Sequence, residues 1–170
     1  MTVSDYIWDY LYNNGVTHVF YLPGGGNMHL VDALGRSQIT GVPMHHEQAC
    51  GIAAIGYSQL KQSLGVCLVT TGPGGTNAIT PCVAAWIDEV PILFISGQVP
   101  THMMTNGEVR QKGPQEVPIA PLVSQITCYS LVSFDGYIRS DLPFMLDKSL
   151  SHPKGPVWLD VPLDVQSAIV

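Results

Sequence analysis

Glu47, in the run PMHHEQACGIAAIGY (Pro43 to Tyr57), joins a carboxylate to a setting that can turn it into an acid/base group. The residues before it, Ile39 to Met44, read as a buried strand that ends at the surface. Those after it, Gln48 to Leu60, read as a helix too rich in Ala and Gly to carry long side chains. A carboxylate at such a junction is dehydrated on one side and fixed in direction. The plain alternative is a solvated glutamate favoured by the helix dipole. His45 and His46 beside it suggest metal ligands or a proton-transfer pair. Neighbours on a strand face opposite ways, so at most one of them shares a face with Glu47, and no metal site is expected.

Two glycine-rich turns accompany this glutamate. In TTGPGGTNA, the residues Thr70, Thr71, Gly72, Pro73, Gly74 and Gly75 close an apolar strand, and Asn77 and Ala78 open a helix. Helix N-termini attract anions, yet no Lys follows these glycines and no acidic residue sits at dinucleotide-binding spacing. The turn therefore suits either a phosphate or a flat ring laid against the backbone. In YLPGGGN, Pro23, Gly24, Gly25 and Gly26 allow a ligand to approach the backbone closely, or simply make a tight strand-to-helix turn. No G-x-S-x-G elbow supports a serine hydrolase. The four cysteines (Cys50, Cys67, Cys82, Cys128) lack C-x-x-C spacing and lie in apolar runs, which favours buried free thiols over disulfides or zinc.

The elements that position these residues alternate. Ser4 is expected to cap a helix over Asp5 to Asn13, stopped by Gly15. Strands are expected at Val16 to Leu22, Ile39 to Met44, Leu64 to Thr71, Pro91 to Gly97, Cys128 to Val132 and Pro156 to Pro162. Further helices are expected at His29 to Leu34, Gln48 to Leu60, Thr76 to Ile87, Ile119 to Val123 and Ser140 to Leu150. The polar stretch Gln98 to Gln115 shows no regular pattern, and a structureless run of that length is usually functional or mobile. Strands apolar on both faces and separated by helices predict an α/β fold. It is a three-layer, doubly wound, mainly parallel sheet of about six strands with helices on both faces. Ligands of such sheets bind beyond the carboxyl ends of the strands, where PGGG, Glu47, TGPGG and SGQ all fall.

With 170 residues, the chain is expected to be a single domain over 1–170. It is 46% hydrophobic and 12% charged, against about 25% charged in typical globular chains. Either other protein covers its surface or its sheet is buried on both faces. A net charge of −6 without a basic cluster argues against nucleic acid as a partner. No apolar stretch reaches the roughly 18–20 residues of a membrane span, so no membrane is expected. The polar N-terminus TVSDYIWDYLYNNG does not resemble a signal peptide, and the cytoplasm is the expected location.

Taken together, VTHVFYLPGGG, HHEQACGIAAIGYSQ, GVCLVTTGPGGTNAITPCVAAWIDEVPILFISGQVP, QEVPIAPLV and GPVWLDVPLDVQ resemble the thiamine-diphosphate enzymes of the acetolactate synthase-like branch. The resemblance runs in order over nearly the whole chain and corresponds to the family's N-terminal, pyrimidine-binding domain. It implies that Glu47 hydrogen-bonds N1′ of the cofactor's aminopyrimidine and so promotes loss of the thiazolium C2 proton before a 2-keto acid is attacked. It further implies that Thr71, Gly72, Pro73 and Gly74 line the aminopyrimidine and that Asn77 supports the turn. Pro23, Gly24 and Gly25 match a loop near the reacting end of the cofactor. Gln115 matches a substrate-channel glutamine, and His29 is an addition near the entrance.

The family's diphosphate and magnesium motif, G-D-G followed by N-N, appears nowhere in the chain. The resemblance thus implies that thiamine diphosphate is held here only by its pyrimidine half. Mg²⁺ and the diphosphate would belong to a diphosphate-binding domain of a partner subunit in a homo-oligomer. The ending DVPLDVQSAIV matches the start of a linker, so the chain is expected to be the N-terminal part of a longer lyase or transferase and inactive alone. Pro114, where acetolactate synthases usually carry an aromatic residue, and the unusual loop GGGNMHL point to a related 2-keto acid decarboxylase or carboligase. Three alternatives stand beside this: a non-catalytic or regulatory homologue, a separate decarboxylase subunit, and a nucleotide-binding module that uses TTGPGG for phosphate.

Overall fold

The computed structural model describes residues 1–134 and 136–170. Strands β1 (His18–Tyr21), β2 (Thr40–Pro43), β3 (Gly65–Val69), β4 (Ile92–Gln98), β5 (Tyr129–Val132) and β6 (Val157–Pro162) form one sheet. Their order is β2-β1-β3-β4-β6-β5, and every pairing is parallel. All carboxyl ends therefore lie on one edge, as the sequence predicts. The order reverses beside β1 and β3, the kind of place where open α/β sheets hold ligands.

Around the sheet run α1 (Val3–Asn13), α2 (Met28–Arg36), α3 (Glu47–Lys61), α4 (Pro73–Asn77), α5 (Ile79–Ile87), α6 (Ile119–Val123), α7 (Ile138–Leu150) and α8 (Leu163–Ser167). The strands' two-residue alternation divides the core cleanly. Val66, Leu68, Leu93, Ile95, Val157 and Leu159 face α1, α2, α7 and α8. Cys67, Val69, Ile92, Phe94 and Trp158 face α3, α5 and α6. Each of β3, β4 and β6 is buried along its whole length, which accounts for their unbroken apolar runs.

Four local expectations are corrected. Thr2, not Ser4, caps α1: its hydroxyl accepts from Asp5 N at 3.1 Å while Asp5 Oδ2 accepts from Thr2 N at 3.0 Å. Ser4 is buried and donates to the Gln166 carbonyl at 2.8 Å instead. The helix expected from Thr76 to Ile87 is two helices that meet at Ala78. Pro73 starts the first, and Pro81 has no N–H to give the Asn77 carbonyl, so the ladder breaks there. The strand before Glu47 is not buried, because β2 is an edge strand whose residues are largely exposed.

The fourth correction concerns Gln98 to Gln115: Gln98 ends β4, and the loop after it contains a 3₁₀ turn at Thr101–Met103. Glu116 gathers it: the carboxylate accepts from the backbone of Thr105, of Lys112 at 2.8 Å and of Gly113 at 3.3 Å. Burial pushes this carboxyl up, but the three N–H groups outweigh it and hold it below its ordinary value.

Candidate functional site

Glu47 is the first residue of α3, directly after its cap. His46 Nδ1 accepts from Gln48 N at 3.1 Å, so this histidine is committed to starting the helix. His45 and His46 are both exposed in a bend rather than on a strand. No group of three or more His, Cys, Asp or Glu among the described residues could hold a metal ion. The Ala/Gly character of α3 has a direct cause: a Cβ on Gly51 would overlap the Pro81 ring of α5. Close packing of α3 on α5 brings Glu47 to the α4–α5 turn.

Asn77 Nδ2 donates to Glu47 Oε2 at 2.9 Å. Oε1 accepts no hydrogen bond among the described residues. It faces Gly74, where a Cβ would stand 3.6 Å from it. One oxygen is thus anchored and the other is free beside a glycine surface.

The two glycine turns pack on one another through Thr70 and Thr71. Thr70 fills the centre: a Cβ on Gly24 would lie 2.6 Å from its Cβ, and one on Gly74 would lie 2.7 Å from its Cγ2. Its hydroxyl accepts from Gly26 N at 3.0 Å. Asn27, fully buried, staples the PGGG turn by accepting from Gly24 N at 2.8 Å and donating to the Leu22 carbonyl at 3.1 Å. Gly97 lets that turn rest on β4, since a Cβ there would overlap the Gly26 carbonyl. On the far side, Gly72 adopts φ +61° and Gln115 also φ +61°. A Cβ on Gly72 would run into the Gln115 carbonyl.

The structure thus brings Glu47, Thr71, Gly72, Gly74, Asn77, Gly24 and Gln115 to one edge. Pro23, Gly25 and Pro73 are exposed there. Gln115 meets the others through its backbone and its side chain is exposed. His29 is half-buried in the first turn of α2 and hydrogen-bonds to none of the other site residues among those described. Sequence reasoning gave no site role to Thr70, Asn27, Gln98 or Asp160. The last two announce themselves as polar residues in mainly apolar strands that are buried along their whole length, ILFISGQ and VWLDVP. Asp160 is fully buried, and that burial pushes its carboxyl up to about 7 against hydrogen bonds from Ser96 and Gln98. The cysteines are free, and burial holds the Cys67 thiol well above its ordinary value.

A cavity of about 620 Å³ lies elsewhere, between Trp86, Cys128, Lys148 and Lys154 at the amino ends of the strands. Around Glu47 the chain offers one wall of a site.

Residues 1–121 match the family described as thiamine pyrophosphate enzyme, N-terminal TPP binding domain. The chain belongs to that family. It is 37% identical over 172 residues to acetolactate synthase 2, chloroplastic, of Nicotiana tabacum, an alignment covering 98% of this chain and 25% of the relative. It is 35% identical to the acetolactate synthase of Arthrospira platensis over 168 residues, 94% of this chain and 28% of that protein. With the chloroplastic acetolactate synthase of Arabidopsis thaliana the identity is 34% over 171 residues, 98% and 24%. The chain spans about a quarter of the length of these relatives. No helix among its described residues is long and apolar enough to cross a membrane.

The donor set of this thiamine pyrophosphate domain fits one end of such a cofactor. None of the seven Lys and Arg residues lies in Pro23–Asn27, Met44–Glu47, Thr70–Asn77 or Gly97–Pro100, so the turns offer a diphosphate no cation. They offer instead a free carboxylate oxygen and a flat glycine surface, which suit an uncharged ring bearing N–H donors.

Proposed function

We propose that this domain supplies the pyrimidine-binding half of a thiamine-diphosphate-dependent lyase or transferase acting on small 2-keto acids, of acetolactate synthase type. The observation that carries the reading is the divided Glu47 carboxylate. Oε2 is tied to Asn77, and Oε1 lies beside Gly74 at the edge where two glycine turns meet. When bound, thiamine diphosphate supplies the electron sink for cleaving the bond beside a keto group.

This chain's own residues orient the ring and manage one proton. Gly72, Pro73 and Gly74 present the ring with a turn whose only side chain is the Pro73 ring. Glu47 Oε1 shares a proton with a ring nitrogen, giving it up and taking it back during turnover, as general acid/base groups do. Asn77 keeps that carboxylate from turning away. Thr71 holds the strand end behind the glycines, and Pro23, Gly24 and Gly25 form the opposite lip. Gln115 and His29 stand on the substrate side. The diphosphate and Mg²⁺ belong to protein outside these residues, on a partner subunit of a homo-oligomer.

The test uses the complete protein that contains this domain, supplied with thiamine diphosphate, Mg²⁺ and a pyruvate-like 2-keto acid. Turnover that depends on the cofactor and collapses in Glu47→Gln is expected. Cofactor-independent turnover, or none with any 2-keto acid, would contradict the proposal.

A further inference from the structure

A chain of buried polar groups links the carboxyl ends of β6 and β4 to the Thr71–Gly72 turn. Trp158 Nε1 donates to Ser96 Oγ at 2.8 Å, and Ser96 Oγ donates to Asp160 Oδ1 at 2.6 Å. Gln98 Nε2 donates to Asp160 Oδ2 at 2.9 Å and to the Val117 carbonyl at 2.8 Å. Gln98 Oε1 accepts from Val99 N at 2.9 Å and from Thr71 Oγ1 at 3.0 Å. Ser96, Trp158 and Asp160 are 0% exposed and Gln98 is 2% exposed.

An amide has two N–H donors and an oxygen with two lone pairs, and Gln98 uses all four. Its orientation is therefore dictated. Turned over, it would set its oxygen against the Asp160 carboxyl and the Val117 carbonyl, and its NH₂ against Val99 N–H. Each such mismatch would leave buried polar groups facing one another without a hydrogen bond. Asp160, an acceptor at both oxygens, is what fixes which end faces which way.

Two segments of the site hang on this one amide. Thr71 precedes Gly72, and Val117 lies two residues beyond Gln115. Gly72 and Gln115 are the pair whose backbones press together. We infer that Gln98, oriented by Asp160, is the positioning residue that locks the Thr71–Gly72 turn against the Gln115–Val117 segment. It thereby fixes the glycine turn against which the cofactor ring lies. Neither residue touches the ring; both act through Thr71 and Val117. The inference rests on the function proposed above.

Gln98→Glu keeps the shape and removes both N–H donors. In the complete protein its dissociation constant for thiamine diphosphate, read by tryptophan fluorescence, is expected to rise about tenfold or more. Hydrogen exchange should quicken in both Thr71–Asn77 and Gln115–Val117. A folded Gln98→Glu variant with wild-type affinity and wild-type exchange in both segments overturns the inference. Should Gln98→Glu fail to fold, Thr71→Val removes a single hydroxyl from the same network. It is expected to raise the dissociation constant several-fold with little change in melting temperature, and an unchanged constant overturns the inference equally. A wild-type protein that binds no thiamine diphosphate would instead sink the proposed function, and the exchange comparison would still decide whether Gln98 holds the two segments.

Discussion

Asn77 and Glu47 sit 30 residues apart, and the amide of the first holds one carboxylate oxygen of the second at 2.9 Å. That bond exists because Pro81 breaks the helix after Asn77 and because Gly51 lets α3 close on α5. A hydrogen bond to a charged group contributes about 1.5–3 kcal/mol. Asn77→Leu frees Glu47 to rotate. It is expected to lower kcat of the complete protein about tenfold while the far-UV spectrum stays unchanged, as steady-state kinetics would show.

Gly72 is constrained in two ways at once. Its φ of +61° disfavours any side chain, by about 1–2 kcal/mol, and a Cβ would meet the Gln115 carbonyl. Gly72→Ala is expected to weaken cofactor affinity and loosen the Gln115 segment together. Gly25→Ala, with nothing within 4 Å of the added Cβ, should leave the fold unaffected. Titration calorimetry and exchange on the two variants would separate them.

Asp160 gives the fold a distinctive pH dependence. Its carboxyl is raised to about 7 by burial, against Ser96 and Gln98, from an unfolded value of about 3.9. Between those values the folded state binds the extra proton, so this group's contribution to stability declines as pH rises from about 4 to about 7. Asp5, Glu116 and Asp164 are lowered and act in the opposite sense, losing their contribution as pH falls. The decisive quantity is the difference between variants. Asp160→Asn should remove a downward slope from the protection of β4 and β6 measured between pH 4 and pH 7. Parallel profiles in wild type and variant would contradict this.

The cap of α1 provides a test away from the site. Thr2→Ala removes the hydroxyl that accepts from Asp5 N, and such caps contribute about 1 kcal/mol. Faster exchange in the first turn of α1 with unchanged kinetics is the expected result. Ser4→Ala should act differently, since it deletes a tertiary bond to α8.

Much of this arrangement is legible in the sequence. Unbroken apolar runs such as GVCLV and PILFI announce central parallel strands, and the placing of glycine turns after them puts PGGG, Glu47 and TGPGG on one edge. Capping is less legible, because Thr2 and Ser4 are chemically alike and only the tertiary demand of Gln166 on Ser4 decides between them. The exposure of β2 was hidden for a related reason: Thr40 to Pro43 reads as a buried strand until the strand order makes it an edge. The Gln98–Asp160 pair was legible in type but not in partnership. Each is a polar residue in a mainly apolar strand, and nothing local says that β4 and β6 lie side by side. The hold of Glu116 on the Thr105–Gly113 loop likewise depends on a geometry that spacing does not encode.

The claim that Glu47 activates a bound cofactor is tested most directly by the exchange of the thiazolium C2 proton for deuterium. The measurement uses thiamine diphosphate bound to the complete protein, in wild type and in Glu47→Gln, by quenched-flow NMR. The account predicts a rate lower by about 10²-fold or more in the variant, with the cofactor dissociation constant within a few-fold of wild type. Exchange in Glu47→Gln at close to the wild-type rate would contradict it.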